Sequence, residues 1–194
     1  MMRTAWIAAL GWLTVAVGPA LAQSPSPEDN REIAAMFEAD QAIRNAIDPA
    51  KLPDMTVIRR MIAEDAARRT RAEAMLREGS LNTAEDYYRA AFIFQHGSKS
   101  ADYLLAHSLA MAAVARGKTE ANWIAAATLD RYLMQISQPQ IYGMQYSRSK
   151  EAGPTMDPYD RSLIPDSVRT ALGVPVQAER RKKLDAMKAS VPKP

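Results

Sequence analysis

Tyr87-Tyr88-Arg89-Ala90-Ala91-Phe92-Ile93-Phe94 decides the fold, because wound at 100° per residue it is apolar nearly all the way round. A helix with almost no polar face must be covered on every side, so this segment is predicted to be a central helix packed among others. It opens at Thr83-Ala84-Glu85-Asp86, which has capping-box character, and stops at Gly97. Working outward, alanine is abundant and apolar residues recur every three or four positions, so the chain is predicted to be helical almost throughout. A helix over 28–47 ends at Asp48-Pro49, and a second runs from Asp54, a good N-cap after Pro53, to Glu78 with Gly79 beyond it. A fourth covers Ser100 to Arg116 before Gly117, a fifth Thr119 to about Ser137, and short ones follow at about 166–172 and 176–189.

Between the fifth helix and these short ones the texture changes. Gln138 to Pro165 holds Pro139, Gly143, Gly153, Pro154, Pro158 and Pro165 and shows no strand pattern, so it reads as a long irregular loop laid over the bundle. Gly97 and Gly117 each close a helix ahead of a new one, as in helix-hairpin arrays, but no period is carried through three copies. The expected fold is an all-α, compact single-domain bundle of about five long helices with short C-terminal helices and one long loop.

The first residues read as a secretory signal. Arg3 supplies the positive start, Ala5 to Val17 a short apolar run, and Ala20-Leu21-Ala22 a cleavage site ahead of Gln23. The run falls short of the roughly 20 residues a spanning helix needs. The expected organisation is a leader at 1–22, a Ser/Pro tether at 23–27 and a helical domain at 28–190, exported to the periplasm or secreted, with no membrane attachment after cleavage. The chain has no cysteine, so stability rests on packing without disulfides. A formal charge of +3, reduced by one if Arg3 leaves with the leader, is small. The basic stretches at Arg68-Arg69 with Arg71 and at Arg180-Arg181-Lys182-Lys183 have acidic neighbours on helical patterns, which argues for solvated faces and against nucleic acid.

Several polar residues stand where helical periodicity calls for apolar ones, and a buried polar group costs a few kcal/mol unless partnered. Asp65 and Arg69 lie within the stripe of Ile58, Ile62, Ala72 and Leu76, either paired with each other or with Asp65 turned inward to meet a histidine or a cation. Gln95 and His96 end the central helix, His107 shares a face with Tyr103, Ala110, Met111 and Val114, and Asp130 lies in the stripe of Trp123, Ala127 and Met134 with Arg131 beside it. His96, His107, Asp130 and Asp65 are therefore the candidates for acid–base work. Gln95, His96, His107, Asp130, Arg131, Gln140, Tyr142 and Gln145 are the candidates for holding a ligand.

No metal is expected, since the two histidines and the aspartates lack HExxH or Glu-x-x-His spacing. No cofactor is implied, since glycine-rich phosphate loops are absent, and without a cysteine or a G-x-S-x-G elbow no serine or cysteine nucleophile is indicated. The preferred reading is a periplasmic binding module for a peptide, a cell-envelope component or another protein, with amides from Gln140 and Gln145, a carboxylate fork from Arg131 and a flat contact from Tyr142. A hydrolase using a histidine as base is the alternative, and a structural scaffold the third.

The segments Tyr87 to Gly97, Tyr103-Leu104-Leu105-Ala106-His107, Ala127-Thr128-Leu129-Asp130-Arg131 and Pro139-Gln140-Ile141-Tyr142-Gly143-Met144-Gln145 together resemble a bacterial family of domains of unknown function. The resemblance spans roughly residues 40–175, with Asp40-Gln41 and Arg44 as an outlying element. It implies fold kinship and a shared polar centre, and no activity. Met144 stands where that family usually has threonine, which removes a hydroxyl from the last segment.

Overall fold

A computed structural model describes residues 27–47, 54–149 and 153–190. The expected leader and most of the expected tether, like the Asp48-Pro49 stop, lie outside the described residues. Seven helices account for most of the described residues: α1 Arg31–Asn45, α2 Met55–Glu78, α3 Ala84–Phe94, α4 Ser100–Ala115, α5 Ala121–Gln135, α6 Asp166–Ala171 and α7 Gln177–Ala189. The all-helical class follows, and each helix lies within a few residues of its expected span.

Local chemistry sets the boundaries. Asn30 caps α1 by accepting from the backbone N–H groups of Glu32 and Ile33, and Asp54 caps α2 through Thr56. Gly79 closes α2 at φ +66°, a left-handed conformation that a side chain would resist. Thr83 and Asp86 form the capping box of α3. Asp86, fully buried, also accepts from the Asn30 N–H at 2.7 Å, fastening the start of α1 to the α2–α3 turn.

The main core lies where α3, α4 and α5 meet α1 and α2. Ala90, Ala91, Ala106, Ala110, Ala113, Ala121 and Ala125 line it, so the three helices approach closely, and Ile33, Met75, Ile93, Phe94 and Ile124 fill the remainder. An aromatic ladder crosses the bundle. Phe37 of α1 stands edge-on to Phe92 at 5.5 Å between ring centres, Tyr88 lies 5.0 Å from Phe92, and Trp123 of α5 stacks on Phe92 at 6.4 Å.

The segment after α5 corrects one expectation. It contains two short antiparallel strands, β1 Ser147–Ser149 and β2 Gly153–Thr155, with Ser147 opposite Thr155. Gln140 also pairs with the chain at Tyr159: its N–H donates to the Pro158 carbonyl and its carbonyl accepts from Asp160. Ser-Arg-Ser and Gly-Pro-Thr carry none of the alternating β-branched pattern that reveals a strand in sequence, so the hairpin could not be read there. Met144 and Val174 pack on Ala126 and Ala127 of α5, and Met156, Tyr159 and Leu184 bury a further cluster beneath α7. Among the described residues no helix is long and apolar enough to cross a membrane.

Candidate ligand-binding site

The polar residues fall into two groups where the sequence suggested one. The first gathers at the C-terminal end of α3. Asp40 of α1, 1% exposed, accepts from Arg44 Nη1 at 2.6 Å and from Gln41 Nε2 at 2.8 Å. Arg44 Nη2 donates to Asp65 Oδ2 at 2.7 Å, and Arg68 Nη1 to Asp65 Oδ1 at 3.0 Å, so two carboxylates and two guanidiniums close a network between α1 and α2. His96 Nε2 faces Asp40 Oδ2 at 3.5 Å, within ion-pair reach, and makes no hydrogen bond. Burial works against ionisation of Asp40, but the His96 imidazole and the Arg44 guanidinium outweigh it and hold the carboxyl below its ordinary range.

The last carbonyls of a helix have no partner within it, and here side chains supply donors. Arg69 Nη1 donates to the His96 carbonyl at 2.7 Å, Tyr103 Oη to the Gly97 carbonyl at 2.8 Å, and Arg131 Nη1 to the Gln95 carbonyl at 3.3 Å. That long bond and a looser polar contact with the Tyr103 phenol are what the Arg131 guanidinium finds among the described residues, and its enclosed Nε has no acceptor. Burial pulls the Arg131 guanidinium below its ordinary range despite the facing Tyr103 phenol, and the positive charge of Arg44 acts in the same direction.

Arg131 borders an open concavity of about 300 Å³ whose other walls are Tyr103, Met134, Gln135, Gln145 and Tyr146. A second hollow of similar size lies between β2 and α7, where Arg161 pairs with Asp157 at 2.9 Å and lies over the Tyr159 ring, and Arg181, Asp185 and Lys188 complete the charged lining. Among the described residues no group of three or more His, Cys, Asp or Glu stands close enough to hold a metal ion.

The second polar group latches the loop. Asp130, fully buried, accepts the backbone N–H groups of Ile141 at 2.8 Å, Tyr142 at 3.0 Å and Met144 at 2.8 Å. Its carboxyl is pushed above its ordinary range by burial, which outweighs those three donors and the positive charge of Arg169. Gln140, fully buried, donates to the carbonyls of Gln145 and Met156 and accepts the Gln145 N–H at 2.9 Å. Arg169 is also fully buried and reaches the carbonyls of Ile164, Tyr142, Pro175 and Ile141 and the Tyr159 hydroxyl.

Asp65, Gln95, His96 and Arg131 thus come together at the end of α3, Asp65 meeting Arg44 and Arg68 in place of Arg69. Asp130 and Gln140 belong to the latch, away from solvent and without a free polar atom to offer. Tyr142 is half-buried with its ring against Arg169, whose guanidinium carbon lies 5.8 Å from the ring centre, so it serves the latch as well. Gln145 joins the two groups: its Nε2 donates to the Ala127 carbonyl at 2.9 Å while its side chain lines the concavity. His107 stands apart, its Nδ1 3.0 Å from the Ala125 carbonyl, tying α4 to α5.

Asp40 stands out in the sequence only as an outlying part of the resemblance. A signal was present, because Ile33, Phe37, Asp40 and Arg44 recur at helical spacing on the face of α1 turned to the bundle. Arg169, on a helix of six residues, offered none.

No curated protein and no solved structure matches the chain. A model of a family described as of unknown function, DUF6624, matches residues 27–190, most of the sequence, and the chain belongs to that family.

Proposed function

We propose that the protein is an exported binding module that seats its ligand in the concavity beside Arg131. The observation that carries this reading is the half-used guanidinium. A buried charged group normally has its hydrogen bonds filled, because leaving one empty costs about 1–3 kcal/mol. Arg131 holds one long bond to a carbonyl, a loose contact with the Tyr103 phenol and no carboxylate among the described residues, at the wall of a space with aromatic, thioether and amide sides. Such a mixture of apolar lining and a few converging polar groups suits a small ligand or the end of a larger one. Export is proposed from the leader-like sequence, and N-terminal sequencing of the mature protein, expected to begin at Gln23, tests it.

The binding experiment compares wild type with Arg131→Gln, both purified from the native host and checked for folding by circular dichroism. Small molecules released on denaturation are then identified by mass spectrometry. A compound carried by wild type and absent from the folded variant is the expected result. Identical release profiles from the two proteins would reject the reading.

One contact favours hydrolysis as a second reading. An imidazole whose Nε2 faces a carboxylate presents Nδ1 on the other side of the ring, the arrangement of an oriented general base. His96 would then accept a proton from water, Asp40 would fix the ring, and Arg131 would steady developing negative charge.

A further inference from the structure

We propose that the group seated against Arg131 is the terminal carboxylate of a peptide. This rests on the concavity being the ligand site, and it adds what the ligand must be.

Arg44 and Arg68 are matched by Asp40 and Asp65, with Glu64 also on Arg68 at 2.9 Å. Arg69 and Arg131 end on backbone carbonyls, so among the described residues two guanidinium charges at the end of α3 have no carboxylate partner. Of these two, Arg131 lines the concavity. A guanidinium at the wall of a cavity with no carboxylate partner of its own offers charge-assisted N–H donors to an arriving carboxylate. The neighbouring Arg44 charge disfavours a lone buried cation at this place, and an arriving anion relieves that repulsion.

The remaining walls select the source of the carboxylate. Next to a peptide's terminal carboxylate lies an amide N–H that needs an acceptor and a side chain that needs apolar cover. With Nε2 held by the Ala127 carbonyl, the Gln145 amide leaves Oε1 without a donor, and Gln135 adds an exposed amide at the rim. Met134, Tyr103 and Tyr146 supply adaptable and flat apolar contact. The volume of about 300 Å³ suits one or two residues, and the open side lets a longer chain continue into solvent. A phosphate group calls for several converging donors, and here a single fork shares the wall with amide acceptors.

The test uses the mature protein immobilised on resin and challenged with a random tetrapeptide pool, once with free carboxy termini and once amidated, with retained peptides counted by mass spectrometry. The free-acid pool is expected to be enriched about tenfold or more over the amidated pool, the size of losing one charge-assisted hydrogen bond. Arg131→Gln is expected to abolish the preference. Because that variant removes a buried charge, Gln135→Glu and Gln135→Lys at the exposed rim provide a pair that leaves the core intact. The first should weaken retention several-fold and the second should not. Equal retention of both pools, with dependence on Arg131, overturns the carboxylate assignment and leaves the binding site standing. Retention independent of Arg131, or none at all, overturns both. Displacement of bound peptide by inorganic phosphate but not by acetate assigns the fork to phosphate and also overturns the proposal.

Discussion

Replacing Asp130 with alanine separates a latch from a catalytic group. The carboxylate accepts three backbone N–H groups at 2.8–3.0 Å and has no exposed surface, so the substitution strands three buried donors. Each charge-assisted bond contributes about 1.5–3 kcal/mol, and a simple sum would run to about 4.5–9 kcal/mol. Water entering the vacated space and relaxation of residues 141–144 recover part of this, so the expected loss is about 3–5 kcal/mol, as when one partner of a buried ion pair is removed. In a domain of this length that lowers the melting temperature by about 10 °C, with a urea midpoint shift at unchanged slope. Asp130→Asn can keep an oxygen on the Ile141 and Tyr142 N–H groups while turning its amide N–H₂ toward that of Met144, so its stability should fall between wild type and Asp130→Ala. Hydrogen exchange gives the local reading: the amides of Ile141, Tyr142 and Met144 should lose protection in Asp130→Ala more than those of α3 do. A stability loss below about 1 kcal/mol, or unchanged protection at those three amides, would refute the assignment.

Three further outcomes follow from the same geometry. Gly143→Ala should lose about 2–3 kcal/mol in denaturant titration: φ is +68°, and a Cβ would stand 3.0 Å from the Tyr159 ring that holds Arg169. Gly97→Ala should fail to give soluble, helical protein, because its Cβ would fall 2.2 Å from the Asp102 Cβ in a turn where Asp102 accepts the N–H groups of Ser98 and Lys99. Asp40→Asn should lose about 3 kcal/mol near pH 7, and the gap to wild type should close in acid. The folded Asp40 titrates below its unfolded value of about 3.9, so its contribution is complete above that value and is lost as the pH falls through the folded one. A gap that persists undiminished near pH 2 would count against the pairing with His96 and Arg44.

The helices were legible because each rests on local chemistry: Asp54, Thr83 and Asp86 as caps, Gly79 as a stop, and an apolar face wide enough to fix α3 at the centre. Tertiary convergence was less so. Asp130 and Arg131 are adjacent in sequence and therefore about 100° apart on α5, so one reaches the following loop while the other reaches the end of α3. Periodicity marks both as near the core and cannot say that they serve different neighbours. Gln95 and His96 stand at the polar end of α3, yet it is their backbone carbonyls that carry the contacts to Arg131 and Arg69, and a sequence shows side chains only. The Asp40–His96 pair joins residues 56 positions apart, on elements whose order in space the pattern leaves open.

The ladder through Phe92 has a spectroscopic consequence. The sequence holds three tryptophans, of which Trp6 and Trp12 precede Gln23, so a chain starting there carries one indole. That indole, Trp123, lies flat on Phe92 with part of its edge in water. Its emission would therefore track the docking of α5 against α3 in every denaturation experiment without a label. Arg131, eight residues on and about 12 Å further along the same helix, is far enough away that events there would reach the fluorophore only by moving the helix itself.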